Sequence, residues 1–195
     1  LDEEANWGNN GISLGWSRQW NRQYYSRITL SKSNFFEDYS YDYQFDLNDD
    51  GRNERFDYNY SKLNNIKESQ LEFENEVYLN RENRIDFGLN VSKIEMNHEL
   101  IVNKDEEEIV FFDDGGTVYG LYFNEKYTPN EKVTIQGGLR YTVTGLVLNN
   151  FLSPRISFQY RPNDILGLKF SAGRYQQLIH EVIEDDPFTG KNSYW

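Results

Sequence analysis

The feature that most constrains this chain is a two-residue rhythm of apolar and polar side chains that recurs along most of its length. The even positions Ile12, Leu14, Trp16, Arg18 and Trp20 alternate with Ser13, Gly15, Ser17 and Gln19. Leu71, Phe73, Val77 and Leu79 alternate with Glu72, Glu74 and Glu76, and Ile85, Phe87, Leu89 and Val91 with Arg84, Asp86, Gly88 and Asn90. Successive side chains of a strand point to opposite faces, so each run reads as a strand with one apolar face. Similar runs around Ile28, Leu121, Leu139, Phe158 and Phe170 bring the number of strands to eight. In the fourth, the phase slips to Ile94 and Met96, which predicts a bulge near Ser92 and Lys93. No stretch carries a convincing helical period.

The connections alternate as well. Tight turns fall at Asn21-Arg22, Asn80-Arg81-Glu82-Asn83, Pro129-Asn130-Glu131 and Pro162-Asn163-Asp164. Looser, mostly acidic segments fall at 46–57, 104–116 and after Gln177, with short Asn149-Asn150 breaking the pattern. Short turns at one end and long loops at the other are the signature of an outer-membrane barrel, with short periplasmic turns and long extracellular loops. Trp20, Tyr24, Tyr78, Tyr127 and Tyr160 gather at the short-turn end, as an interfacial aromatic girdle does. The runs 23–45 and 58–79 contain no strong breaker, and at about 3.3 Å per residue such strands outrun a bilayer. The expected fold is all-β: an antiparallel transmembrane β-barrel segment of about eight long strands, with residues 1–195 forming part of a single barrel domain. A soluble β-sheet binding module, secreted or periplasmic, is the competing reading. It places Leu14, Ile28, Phe73, Phe87, Leu121, Ile135, Phe158 and Phe170 in a closed core rather than on an outward belt. A complete eight-stranded barrel is the third, although Asp185-Asp186-Pro187 interrupts the approach to Trp195.

Composition narrows function. A net charge of -12 opposes a nucleic-acid partner, because neutralising phosphate requires basic clusters. The chain has no Cys and only two His, which removes disulfides, thiolate chemistry and multi-histidine metal sites. It holds 27% charged residues and no run of about 18 apolar ones, so helical membrane spans are excluded while a polar-lumened barrel is not. No signal peptide opens the chain, which begins Leu1-Asp2 and reads as processed or as a piece of something longer. Enzymatic readings fail on inventory. No nucleophile elbow partners His98 or His180, no phosphate-binding glycine loop is present, and no carboxylate pair is placed across a cleft.

One loop carries a metal-binding spacing. In 46–57, Asp46, Asn48 and Asp50 stand at positions one, three and five, Gly51 at six and Asp57 at twelve. Asp46, Asn48, Asp50 and Asp57 would offer side chains to Ca²⁺, Arg52 its carbonyl and Glu54 a direct or water-mediated contact. Asn53 replaces the apolar anchor of such loops and no helices flank the segment, so a hydrophilic hairpin rich in turn formers is the alternative. A second acidic run, Asp105 to Glu108, reads as a solvated loop.

The segments Gly137-Gly138-Leu139-Arg140-Tyr141, Leu152-Ser153-Pro154-Arg155-Ile156-Ser157-Phe158-Gln159-Tyr160 and Leu168-Lys169-Phe170-Ser171-Ala172-Gly173-Arg174-Tyr175-Gln176-Gln177 resemble consecutive barrel strands of TonB-dependent outer-membrane receptors, of the kind found in Bacteroidetes-type bacteria. Asn83-Arg84-Ile85-Asp86-Phe87-Gly88-Leu89 is similar to another of their strands. The resemblance implies a barrel of about 22 strands, plugged by a separate N-terminal domain, in the bacterial outer membrane. It also implies outer-membrane lipid, the TonB system and a small nutrient ligand (siderophore, vitamin, oligosaccharide or peptide) as partners. No plug and no TonB-contacting segment is recognisable here, so the chain reads as a middle segment of the barrel, with no catalysis of its own.

Overall fold

In a computed structural model, the protein is described at residues 2–49, 52–102, 108–146, 149–177, 182–186 and 190–194. Strands β1 (Asp2–Gln19), β2 (Tyr24–Asp49), β3 (Arg52–Tyr78), β4 (Asn83–Val102), β5 (Glu108–Asn130), β6 (Val133–Thr144), β7 (Asn149–Tyr160) and β8 (Leu168–Gly173) follow one another in a single sheet. Every neighbour pair is antiparallel, so the sheet is an uninterrupted meander. Strands β9 (Val182–Asp186) and β10 (Gly190–Tyr194) form a separate hairpin. β1 and β8 are the edges of the large sheet and do not pair with each other. The complete eight-stranded barrel expected as an alternative is therefore not what forms.

The short turns share one device. Asn21 Oδ1 accepts the backbone N–H groups of Gln23 and Tyr24 at 2.8 and 2.9 Å. Asn80 does the same for Glu82 and Asn83, Asn130 for Lys132 and Val133, and Asn163 for Ile165 and Leu166. A short amide side chain that bonds its own backbone two and three residues on closes a turn that ladder bonds no longer serve. Four occurrences at one end of the meander fix all four hairpins at their short side.

The opposite end differs from expectation. The segments 46–57 and 104–116 do not form long loops throughout. The β2–β3 ladder runs up to Asp49↔Arg52, and β5 begins at Glu108, with Phe111 to Gly116 in register against β4. The length lies instead in the strands: β2 has 26 residues and β3 has 27, roughly 85–90 Å of extended chain. A hydrocarbon layer of about 30 Å takes up only part of that.

Burial is inverted relative to a soluble sheet. Along the face carrying the apolar residues, Leu14 is 72% exposed, Leu121 58% and Phe170 63%, and Ile28, Phe87, Ile135 and Phe158 are exposed as well. Phe73 is half-buried. The buried apolar side chains among the described residues are Tyr60, Ile94 and Val118, and each lies on the other face. Lys62, Asn64, Asn90, Ser92, Thr142 and Thr144 are buried there too. The closed apolar core of a binding module is absent among the described residues.

Counted from the short turns, the outward and mostly apolar alternation persists for seven to nine residues per strand: Trp20 back to Ile12 with Arg18 among them, Tyr24 to Leu30, Leu79 back to Leu71, Ile85 to Val91, and Tyr127 back to Tyr119 with Glu125 among them. That is close to the length of a tilted transmembrane strand. Beyond it the faces exchange character. Lys93 and Glu95 follow Val91 on the belt face, while Ile94 and Met96 fall on the other. The expected bulge near Ser92 and Lys93 is absent, because β4 keeps unbroken register with β3 and β5 through Ser92↔Gln70, Lys93↔Ser69 and Ser92↔Val118. The apolar phase slips because the surroundings of each face change, not the backbone. The irregularity lies instead between Tyr127 and Asn130, at Pro129, which lacks an N–H for the ladder. Pro154 sits inside β7, where its carbonyl accepts the Arg174 N–H at 2.9 Å and the β7–β8 ladder ends at Arg155↔Gly173.

The girdle expected at the short-turn end is formed by Trp16, Trp20, Tyr24, Tyr127 and Tyr160. Tyr78, counted with them from the sequence, has the opposite parity and lies beside Arg84 on the other face. Trp20 stacks on Tyr24 with ring centroids 6.3 Å apart and packs edge-on against Trp16, and the Arg18 guanidinium lies 4.3 Å from its ring centroid. Under these rings two polar residues of the belt face are buried and satisfied. Trp20 Nε1 donates to Ser26 Oγ at 2.6 Å, and Tyr24 Oη to Asn75 Oδ1 at 2.7 Å.

On the extended part of β2–β4, Glu37 Oε1 pairs with the buried Lys62 Nζ at 2.9 Å, and Asn64 Nδ2 donates to Glu37 Oε2 at 2.7 Å. His98 Nδ1 contacts Asn64 Oδ1. Burial, and then Lys62, hold the His98 imidazole below the ordinary histidine value, with Glu37 opposing.

Replacing Asn80 or Asn130 by Ala removes the side-chain oxygen that accepts two backbone N–H groups and is expected to destabilise the folded protein by about 1–2 kcal/mol, read as a shift in urea midpoint. An unchanged midpoint removes the turn device from the account. For His98, the unfolded chain takes up protons first as pH falls, so its contribution is complete above about pH 6.5 and is lost below it. NMR titration of the ring should give a midpoint below 6.5, and the H98Q variant should lose that pH-dependence of stability.

A candidate functional site on the polar face of the sheet

The face opposite the belt carries the chemistry. From the short turns upward it presents Tyr25, Arg27 and Thr29 on β2, Glu72, Glu74 and Glu76 on β3, and Arg84, Asp86 and Asn90 on β4. Tyr122 and Asn124 follow on β5, Arg140 on β6 and Arg155 on β7. The order is dictated by strand parity: once the odd positions of β3 face the belt, its three glutamates have no other side to occupy.

Charge segregates along this face. Glu72, Glu74, Glu76 and Asp86 border one recess together with Tyr122 and Asn124, and Arg140 and Arg155 line its far side. Arg84 bridges part of it, with Nη1 3.4 Å from Glu76 Oε2 and Nη2 3.0 Å from Asp86 Oδ2. Toward the β8 edge the sign reverses. Arg140, Arg155 and Arg174 surround a cleft of about 310 Å³, whose walls also include Ser153, Tyr175 and Gln176. Ser153 Oγ hydrogen-bonds Gln176 Oε1 at 3.3 Å, holding the segment after β8 against β7. Among the described residues, Arg155 and Arg174 have no carboxylate within ion-pair distance.

Glycines let long side chains lie across the strands. Arg140 Nη2 donates to Asn90 Oδ1 at 2.8 Å, spanning β5 at Gly120. A Cβ at Gly120 would collide with Asn90 Oδ1, so only glycine leaves that bond its path. Gly138 does the same for Asn124 beside Arg155. Arg140 is thus held by a neutral partner rather than neutralised by a carboxylate. A row of guanidiniums of this kind offers bidentate donors to an anionic group, while the acidic recess offers acceptors to a cationic one. Arg27, Arg140 and Arg155 all lie on this face. Arg174 and Tyr175 were missed, because they follow the last alternating run and enter only by the return of the chain after β8.

The residues with calcium-loop spacing fall where β2 and β3 meet. Asp46 and Asn48 lie on β2, and Arg52, Glu54 and Asp57 on β3, with Asp46↔Arg55, Leu47↔Glu54, Asn48↔Asn53 and Gln44↔Asp57 in register. Asp50, and the side chains of all six residues, lie outside the described residues. Lys104 to Glu107, His180 and Trp195 also lie outside them. Among the described residues, no group of three or more His, Asp or Glu side chains is arranged to hold a metal ion.

No curated protein matches the chain. A family model described as TonB dependent receptor-like, beta-barrel matches residues 2–178. That match covers all eight strands of the large sheet, with the outward apolar belt and polar inner face built on them, and the chain belongs to the β-barrel domain family of TonB-dependent receptors.

Proposed function

We propose that the chain forms part of the wall of an outer-membrane transporter barrel that admits a scarce nutrient, with energy delivered by TonB. The observation that carries this reading is the inverted burial: an exposed, mostly apolar band seven to nine residues deep on one face and a charged face behind it. Within hydrocarbon every backbone N–H and C=O needs a partner, and β1 and β8 present unpaired edges at band depth. Further strands of the same barrel are the economical way to pair them, and the whole of 1–195 belongs to that one barrel domain. The acidic recess and the arginine cleft then face the lumen, where a plug domain and a small ligand are the proposed partners. The strand motifs around Leu139, Phe158 and Phe170 support placement in the Bacteroidetes-type branch. No step of catalysis is assigned to the chain.

Two tests follow. In the full-length protein in bacterial outer membranes, cysteines at Leu121, Phe87 or Phe158 should react with bilayer-soluble maleimides, and cysteines at Glu74 or Arg155 with water-soluble ones. The reverse pattern overturns the reading. Leu121→Arg should lower the stability of the inserted barrel by about 2–4 kcal/mol, against about nothing for a soluble protein with the same exposed leucine.

For segment 46–57, the proposal is a calcium site built from Asp46, Asn48, Asp50, Arg52, Glu54 and Asp57. Calcium should raise the thermal midpoint of the wild-type protein and leave the D46N/D50N variant unchanged. Equal responses overturn it.

A further inference from the structure

The belt face ends upward in two rows that set three lysines among neutral polar residues. In one register row, Ile12 pairs with Lys32, Lys32 with Ser69, Ser69 with Lys93 and Lys93 with Thr117. In the next row, Asn34 pairs with Lys67 and Lys67 with Glu95. Lys32, Lys67 and Lys93 are all exposed and stand on three adjacent strands. With strands about 4.8 Å apart, the three ammonium stems arise within about 10 Å of one another. Glu95 is the one carboxylate in these two rows; it accepts from Lys93 Nζ at 2.6 Å and is held below the usual carboxylate range by Lys93 first, with Lys67 and Lys32 also acting on it. The rows therefore keep a positive excess after that pairing.

Directly beneath lies a groove of about 460 Å³ between Ile12, Leu14, Leu30, Leu71 and Val91, with Lys32 and Lys93 on its rim. Its lining is almost wholly apolar. On the other side of the belt, the short-turn boundary is finished by Trp20, Tyr24, Tyr127 and Tyr160 instead, so the two boundaries have different chemistry. Snorkelling alone brings a lysine to an interface but does not gather three over one apolar groove on the side of the long strands.

We propose that this patch binds a lipid of the outer leaflet whose headgroup carries phosphate, with an acyl chain in the groove and the phosphate between Lys32, Lys67 and Lys93. The inference rests on the membrane reading above and adds to it a preferred lipid. Lysine is suited to the task as a compact charge that meets phosphate without a fixed geometry, and each basic side chain at a membrane surface adds to its attraction for anionic lipid.

The test uses the full-length protein in phosphatidylcholine nanodiscs, with and without diphosphoryl lipid A, and native mass spectrometry to count lipid retained on the released protein. The expected result is preferential retention of the phosphorylated lipid, reduced about fivefold for each lysine removed in the series K32Q, K32Q/K93Q and K32Q/K67Q/K93Q, and unaffected by inorganic phosphate. All three positions are exposed, so these variants leave the fold intact; E95Q serves as the opposite control and should strengthen retention. Insertion with equal retention of phosphatidylcholine overturns this proposal while leaving the barrel reading in place. Displacement by inorganic phosphate overturns the lipid assignment, and failure to insert at all overturns both.

Discussion

Everything in this structure depends on the pairing of backbone N–H and C=O groups across an unbroken antiparallel ladder. In a hydrocarbon layer an unpaired peptide group costs several kcal/mol, and water is not available to relieve it. A meander of hairpins satisfies that demand with the fewest connections. The eight-strand sheet does so in register from β1 to β8, yielding only at Pro129, which has no N–H to give. The ladder also explains the fourth strand. A bulge at Ser92 would leave one residue unpaired near the edge of the band, and β4 keeps its register there while exchanging which face is apolar.

That exchange marks the depth of the membrane. Below it, large apolar side chains face outward and the charged ones gather on the opposite face; above it, Lys32, Lys67, Lys93 and Glu95 take over the outer face while Ile94 and Val118 are buried behind. The same rule, apolar groups away from water, gives opposite patterns because water lies on opposite sides. Polar residues inside the band are tolerated where a partner is supplied, as Ser26 is by Trp20 and Asn75 by Tyr24. These aromatic rings serve twice, as girdle and as hydrogen-bond donors.

The functional face follows from the belt. Parity commits Glu72, Glu74, Glu76, Arg140 and Arg155 to one face, where Arg140 and Arg155 border both the glutamate-lined recess and the arginine cleft beside it. Asn90 and Gly120 act together here, one as the partner of Arg140 and the other as the gap that lets the bond form. Transport by a barrel requires a lumen that attracts polar groups without trapping them, and a guanidinium held by an amide, as Arg140 is by Asn90, keeps that capacity.

The sequence by itself determined the strands, their apolar faces and the short-turn end, because a two-residue period and four asparagine-bearing turns are local properties of the chain. It also carried the family, through the strands around Leu139, Phe158 and Phe170. It misjudged what depends on neighbours. Residues 111–116 looked like loop because their polar composition suits solvent, yet β4 supplies a ladder that keeps them extended. Tyr78 looked like girdle by its place in the chain, and register turned it to the other face. The gathering of Lys32, Lys67 and Lys93, residues far apart in sequence, and the return of Arg174 beside Arg140 and Arg155 were decided only by tertiary structure, because cross-strand register is set by the whole sheet and written in no single segment.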